Sequence, residues 1–299
     1  MSTKINFAYI FLFLSVLFWS GNFIVGKFAS YYHIPPFSLN FYRWFFAWII
    51  LAPFTLPEII EKKNYIKDNY KLFIVLGITS VTIFNSIVYY SLNFTQVISG
   101  VLMISTIPVM IMFISSILKI EKTNIFQILG VIFSFIGVIL IITKADLELL
   151  KNLDFNKGDL TMVMAMFSWA IYSALLKKKK HELSQLTLLQ VIISLGLIFL
   201  IPVYIIEFKM GYLIKLNTSF ILVLAYVVLF PGLASFIFWI KGIAIIGSNR
   251  SGIFLHLMPI FSAILAILIF KEKFMNFHLF GAVFIISGIF LSSKKVKNG

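Results

Sequence analysis

The chain of 299 residues contains no cysteine. That excludes a disulfide, a thiolate nucleophile and a zinc–thiolate centre, and it says nothing about compartment. Acidic residues are nearly as scarce, with 11 Asp and Glu against 25 Lys and Arg. They fall near the ends of apolar segments or between them, so an acidic proton relay through the segment interiors lacks its groups. The 4 histidines, His33, His181, His256 and His278, are scattered, which leaves no convergent catalytic or metal-ligating set. No Gly-rich loop ending in Lys-Ser/Thr offers a nucleotide site. No carbonyl-rich or charge-ring filter sequence suggests a channel. No cofactor is called for. The first apolar segment is full length without a small-residue cleavage site, and it reads as a retained helix instead of a cleavable signal.

What the chain has in abundance is apolar surface: 61% of its residues are hydrophobic, 12% are charged and the mean hydropathy is +1.02. A soluble domain of this size cannot bury that much, so lipid must be the solvent for most of it. The net charge of +14 could suggest a nucleic-acid partner. The lysines instead cluster briefly between apolar runs, as membrane topology signals do, so the expected partners are a lipid bilayer and a small molecule.

Cutting at charged or Pro/Gly/Asn-rich breaks leaves apolar segments at roughly 7–29, 36–57, 71–91, 97–118, 125–143, 158–176, 186–206, 218–240, 252–270 and 276–293, each near the ~20 residues that span a bilayer. The expectation is an all-α integral membrane protein of ten transmembrane helices. The break at Asn93 to Gln96 carries no charge, which leaves nine or eleven helices open. With ten, both termini share a side that carries sixteen Lys and Arg against eight opposite, Arg43 lying within the second segment. That asymmetry places both termini in the cytoplasm, with Lys177 to Lys180 as a cytoplasmic anchor in a bacterial-type plasma (inner) membrane.

The chain also matches itself at a nearly constant offset. Trp19 falls on Trp169 and Lys27 on Lys177 at 150, and Pro53 on Pro202 and Glu58 on Glu207 at 149. At 151, Pro108, Glu121, Lys122, Gly130 and Gly137 fall on Pro259, Glu272, Lys273, Gly281 and Gly288. Two halves, 1–145 and 155–299, therefore each hold five segments. An odd number makes the second copy enter the membrane from the opposite side, which predicts two inverted five-helix repeats and a site between them near the midplane.

Several of these residues resemble the EamA-like family of the drug/metabolite transporter superfamily. The likeness runs along the whole chain. It rests on Phe18-Trp19-Ser20-Gly21-Asn22-Phe23, on Pro36 through Asn40 to Arg43, and on the proline, glutamate-lysine and glycine series of each half. What the resemblance implies is a ten-helix bundle with a central cavity that transports amino acids or related small metabolites, often as an exporter. The halves differ where Ile192 stands opposite Arg43, so a role for that arginine would be asymmetric.

Candidate substrate contacts follow from polar or aromatic residues placed inside helices. Arg43, about seven residues or ~10 Å into its helix at 1.5 Å per residue, could clasp a carboxylate or pin neighbouring carbonyls. His256, three before Pro259, matches Ser105, three before Pro108; the histidine is either a ligand or proton contact or a neutral imidazole bonded to a hydroxyl. The prolines should kink their helices and free carbonyls, with Ser99, Thr106, Ser251 and Ser262 nearby. Trp19, Asn22, Asn85, Tyr89, Trp169, Tyr172 and Trp239 supply rings and amides, the two tryptophans lying mid-helix as cavity walls. Gly130, Gly137, Gly281 and Gly288 are expected to serve close helix packing. The function expected is a secondary transporter of amino acids or similar metabolites. Nucleosides or cationic metabolites are the alternative solutes, an enzyme or channel is disfavoured, and a homodimer is left open.

Overall fold

The computed structural model describes residues 2–95, 97–146, 148, 156–178, 182–270 and 275–294. Lys179, Lys180, His181, Gln96, the Glu272–Lys273 turn and the side chain of Ser99 lie outside the described residues. Among the described residues all regular structure is helical. The helices are α1 (Ser2–Tyr31), α2 (Pro36–Glu61), the short α3 (Lys63–Asp68), α4 (Tyr70–Ser91), α5 (Val97–Ile104), α6 (Ile107–Ile117), α7 (Ile125–Ile142), α8 (Lys157–Lys177), α9 (Gln185–Lys209), α10 (Thr218–Ile246), the short α11 (Ser248–Gly252), α12 (Met258–Phe270) and α13 (Asn276–Ser293).

Their starts are chemically marked. Asn124 accepts from the Gln127 amide while the Gln127 side chain accepts from the Asn124 amide, and Asn156 with Asp159 repeats this reciprocal cap on α8. Such caps satisfy amide donors that the first helical turn leaves free. Among the described residues, eight helices are long and apolar enough to cross a membrane. The other two expected segments are broken. The 97–118 segment divides at Ser105–Thr106, and 252–270 passes through a 3₁₀ turn, Ile253–Leu257, before α12. In both, the break precedes the proline, so Pro108 and Pro259 sit in the first turns of α6 and α12. There the missing amide of proline costs no hydrogen bond, so the chain breaks ahead of the ring.

Two antiparallel pairs organise the bundle. At one end of α2, Glu58 accepts from the Ser184 amide (2.7 Å), the Ser184 hydroxyl (2.6 Å) and the Thr187 hydroxyl (2.5 Å) at the start of α9. At the other end, Glu207 accepts from the amides of Phe37 (3.1 Å) and Ser38 (2.6 Å) and from the Ser38 hydroxyl (2.6 Å) at the start of α2. Each helix thus caps its partner's positive N-terminus with a carboxylate. In the second pair, α7 and α13, a Cβ on Gly130 would lie 2.5 Å from the Gly288 carbonyl, and one on Gly137 would lie 2.5 Å from that of Gly281. Only glycine lets these backbones approach so closely. Lysines cap helix ends in a matching way: Lys27 donates to Leu92 O (2.9 Å) and Thr95 O (3.1 Å), and Lys177 to Ala244 O (3.3 Å).

Two helices carry a wider turn at related positions. α4 is π-helical over Ile78–Phe84 and α10 over Val228–Ala234, 150 residues later. A π turn lets carbonyls look sideways for partners other than the next amide. These two turns build the centre of the molecule.

Candidate functional site

All ten side chains singled out from the sequence are buried. Eight of them meet in one layer. The π turn of α10 places the Pro231 carbonyl where it accepts from Trp19 Nε1 (3.1 Å) and Arg43 NH2 (2.9 Å). Arg43 NH1 also donates to Asn85 Oδ1 (2.8 Å) and to the Tyr89 hydroxyl (2.7 Å), which in turn donates to Asn22 Oδ1 (2.9 Å). The π turn of α4 anchors Asn85 from below, Ser80 O accepting its side-chain amide at 2.7 Å. The Arg43 guanidinium lies 4.9 Å from the Trp44 ring centre and 6.0 Å from that of Phe236. A delocalised cation is well matched to such ring faces. Its Nε has no hydrogen-bond partner, and among the described residues no carboxylate pairs with it.

Beside this polar chain lies an aromatic cluster. Trp19 meets its repeat counterpart Trp169 edge-on at 5.1 Å and Trp239 at 5.3 Å. Trp169 packs on Tyr172 at 5.0 Å, and Trp239 Nε1 donates to Ser173 Oγ at 3.2 Å. Trp169 Nε1 and the Tyr172 hydroxyl are buried without a partner, which makes them costly unless something else supplies an acceptor.

The cavity between these groups holds only about 20 Å³ and is lined by Trp19, Asn22, Asn85, Trp169 and the apolar side chains around them. That is room for about one water, so this cavity is closed to an organic solute. A separate apolar cluster of Leu39, Tyr89, Phe220, Val223 and Val227 covers the network towards the α1–α2 connection.

Ser105 and His256 lie apart from the eight and pair with each other. His256 Nε2 donates to Ser105 O at 2.8 Å, and Nδ1 faces the Ser134 hydroxyl at 2.5 Å. A carbonyl only accepts, so the proton belongs on Nε2 and the imidazole is fully satisfied when neutral. The Ser105 carbonyl at the α5–α6 break thus faces a side chain. Ile104, Ile107, Leu255 and Met258, which flank the pair, form the neighbouring cavity wall.

Sequence reasoning missed Trp44, Phe236 and Phe84, the last 4.5 Å from Trp169. It also left out Asn40 as a structural anchor, although Asn40 donates to Val81 O and Ser86 Oγ, both at 2.8 Å. An Asn three residues before a buried Arg was the available signal.

A family model described as the EamA-like transporter family matches residues 6–143 and again 156–294. The chain belongs to the EamA-like transporter family. This places it in the drug/metabolite transporter superfamily, as a multi-pass membrane permease. Similar proteins include an uncharacterized transporter, YyaM, of Bacillus subtilis, 26% identical over 97% of this chain and 94% of that one. An uncharacterized transporter of Archaeoglobus fulgidus is 27% identical over 96% and 97%. A solved crystal structure superposes with a TM-score of 0.75 over 95% of both chains at 15% identity, which shows a shared fold. The double match divides the EamA-like chain between α7 and α8, and each half contributes one π turn and at least one tryptophan to the central layer, Trp19 from the first and Trp169 and Trp239 from the second.

Proposed function

We propose that this EamA-like chain is a secondary transporter of amino acids or related carboxylate-bearing metabolites, working as an exporter by alternating access. In this reading ten spans form two inverted five-helix repeats, 1–145 and 155–299, in a bacterial inner membrane with both termini cytoplasmic. The antiparallel α2–α9 and α7–α13 pairs and the 150-residue spacing of the π turns support the inversion. The solute passes chemically unchanged.

The observation that carries the substrate class is Arg43, fully buried and without a carboxylate partner among the described residues. A cation in the membrane interior is expensive and is retained where it has work to do. With the cavity closed, protein oxygens fill its NH1 and NH2. A ligand carboxylate would replace some of those acceptors as the cavity opens, and Trp169 Nε1, the Tyr172 hydroxyl and Arg43 Nε are further donors suited to it.

Counterflow in proteoliposomes tests this against labelled amino acids, nucleosides and cationic metabolites. Exchange of amino acids that Arg43→Gln removes, in protein that still folds, is the expected outcome. Exchange confined to cationic solutes, or unaltered by Arg43→Gln, would overturn the substrate class.

A further inference from the structure

A second and larger concavity lies away from the central layer. It is a groove of about 910 Å³ between α2, the end of α9 and the first half of α10. We propose that this groove binds one anionic phospholipid, an acyl chain lying along it and the phosphate meeting Lys209 and Lys215.

The dimensions fit one leaflet. From α2 the groove takes Ser38, Tyr42, Phe46 and Ile50, every fourth residue and therefore a single helix face. Twelve residues at 1.5 Å each make that face about 18 Å long, slightly over half of the ~30 Å hydrocarbon thickness. The chemistry is graded in the same direction as a lipid. Hydroxyls occur towards the end where α2 begins, on Ser38, Tyr42, Tyr204 and Tyr212, and those of Tyr42 and Tyr204 bond each other at 3.1 Å. The deep end, at Ile50, Val228 and Leu229, is purely apolar.

Charge complementarity selects the headgroup. Lys209 and Lys215 are exposed and bracket the 210–214 segment that closes the groove's polar end. Neither has an ion-pair partner among the described residues. The nearest carboxylate along the helix, Glu207, is taken up by the α2 N-terminus. Two free cations at headgroup height above an apolar slot of leaflet depth match a phosphodiester with its chain. The orientation proposed above makes this the outer leaflet, and the site itself holds in either orientation.

The full chain, washed free of co-purifying lipid, is incubated in micelles with phosphatidylglycerol or phosphatidylcholine of identical acyl chains, and retained lipid is counted by native mass spectrometry. The expected result is one phosphatidylglycerol per chain, with retention falling about fivefold for each lysine removed in Lys209→Gln and Lys215→Gln. Leu224→Trp, or Ile50→Trp should the former not fold, fills the groove and abolishes retention while the melting temperature of the lipid-free protein holds. Leu222→Trp, on an exposed part of α10 outside the groove, retains the lipid. Equal retention of both lipids, undiminished retention in a folded groove-filling variant, or a dimer mass free of lipid would each overturn the proposal.

Discussion

Replacing Glu207 by glutamine should destabilise the protein more than replacing Glu58, although the two carboxylates accept three hydrogen bonds each. Glu207 is buried and meets the first turn of α2, whereas Glu58 is partly exposed at the first turn of α9. Glutamine keeps one acceptor oxygen and turns an amide towards donors that need an acceptor. At Glu207, Oε1 accepts from the Phe37 amide and Oε2 from both Ser38 donors, so glutamine strands either the Phe37 amide or the Ser38 amide and hydroxyl together, and buried bonds to a charged group are worth ~1.5–3 kcal/mol each. About 2–4 kcal/mol is therefore expected for Glu207→Gln, with at least one bond surviving and up to two lost. Water reaches the Glu58 end, so Glu58→Gln resembles the loss of an ordinary N-cap, ~1 kcal/mol. SDS-induced unfolding of both variants in mixed micelles, followed by tryptophan fluorescence, measures the difference. Equal midpoints, or a greater loss in Glu58→Gln, would refute the argument that burial and not bond number sets the strength of these caps.

Gly137→Ala and Gly281→Ala should each cost ~1–3 kcal/mol in the same assay, because a Cβ at either position meets the opposing helix within 2.5 Å. Gly211→Ala, where nothing lies within 4 Å but φ is +86°, should cost only the left-handed strain of about 1–2 kcal/mol; a larger loss there would point to unrecognised packing. Tyr172→Phe removes a buried hydroxyl that has no partner, so stability should hold or rise by up to ~1 kcal/mol while ligand-induced thermal stabilisation weakens; unchanged ligand response takes the hydroxyl out of the site. Arg43→Lys keeps the charge but loses the planar fork, and apparent affinity should fall by ~1.5–3 kcal/mol, roughly ten- to hundredfold; an unchanged midpoint with reduced yield would make Arg43 structural. Single cysteines at Asn64 and Asn152, convenient in a chain lacking others, should react with impermeant reagents from opposite sides, and labelling from one side would sink the orientation.

What the residues disclosed in advance was mostly what repeats. Trp19 and Trp169 could be matched by offset alone, and they meet because they are counterparts. His256 and Ser105, matched the same way, also touch. The glycine series forecast the close approach of α7 and α13 for the physical reason that only small side chains permit it. The π turns left no such trace. Ile78–Phe84 mixes apolar residues with the hydroxyls of Thr79, Ser80 and Thr82 and contains no proline or glycine, and its wider winding arises from what its carbonyls bond in three dimensions: Asn40, Asn85 and Ser168. Trp44 and Phe236 were missed for a related reason. Phe236 stands in an apolar run and Trp44 beside Arg43 in a run of aromatic residues, and only tertiary packing distinguishes rings around a guanidinium from rings facing acyl chains. The helix breaks were misplaced by a few residues because proline moves a break ahead of itself instead of sitting at it.

The unpaired charge of Arg43 has an electrical consequence. With no described carboxylate to neutralise it, the empty carrier holds one positive charge inside the low-dielectric slab, and any displacement of that charge along the membrane normal does work against the voltage. A full crossing is worth ~2.3 kcal/mol per 100 mV, so a shift through a tenth of the field costs or gains ~0.2 kcal/mol per 100 mV. On the reading proposed above, a bound monocarboxylate would cancel the charge and with it the sensitivity, whereas a zwitterionic amino acid, which brings its own ammonium group, would leave the total charge unchanged. Which half of that proposed cycle responds to voltage would then follow from the net charge of the solute: the unloaded half alone for a monoanion, both halves for a zwitterion.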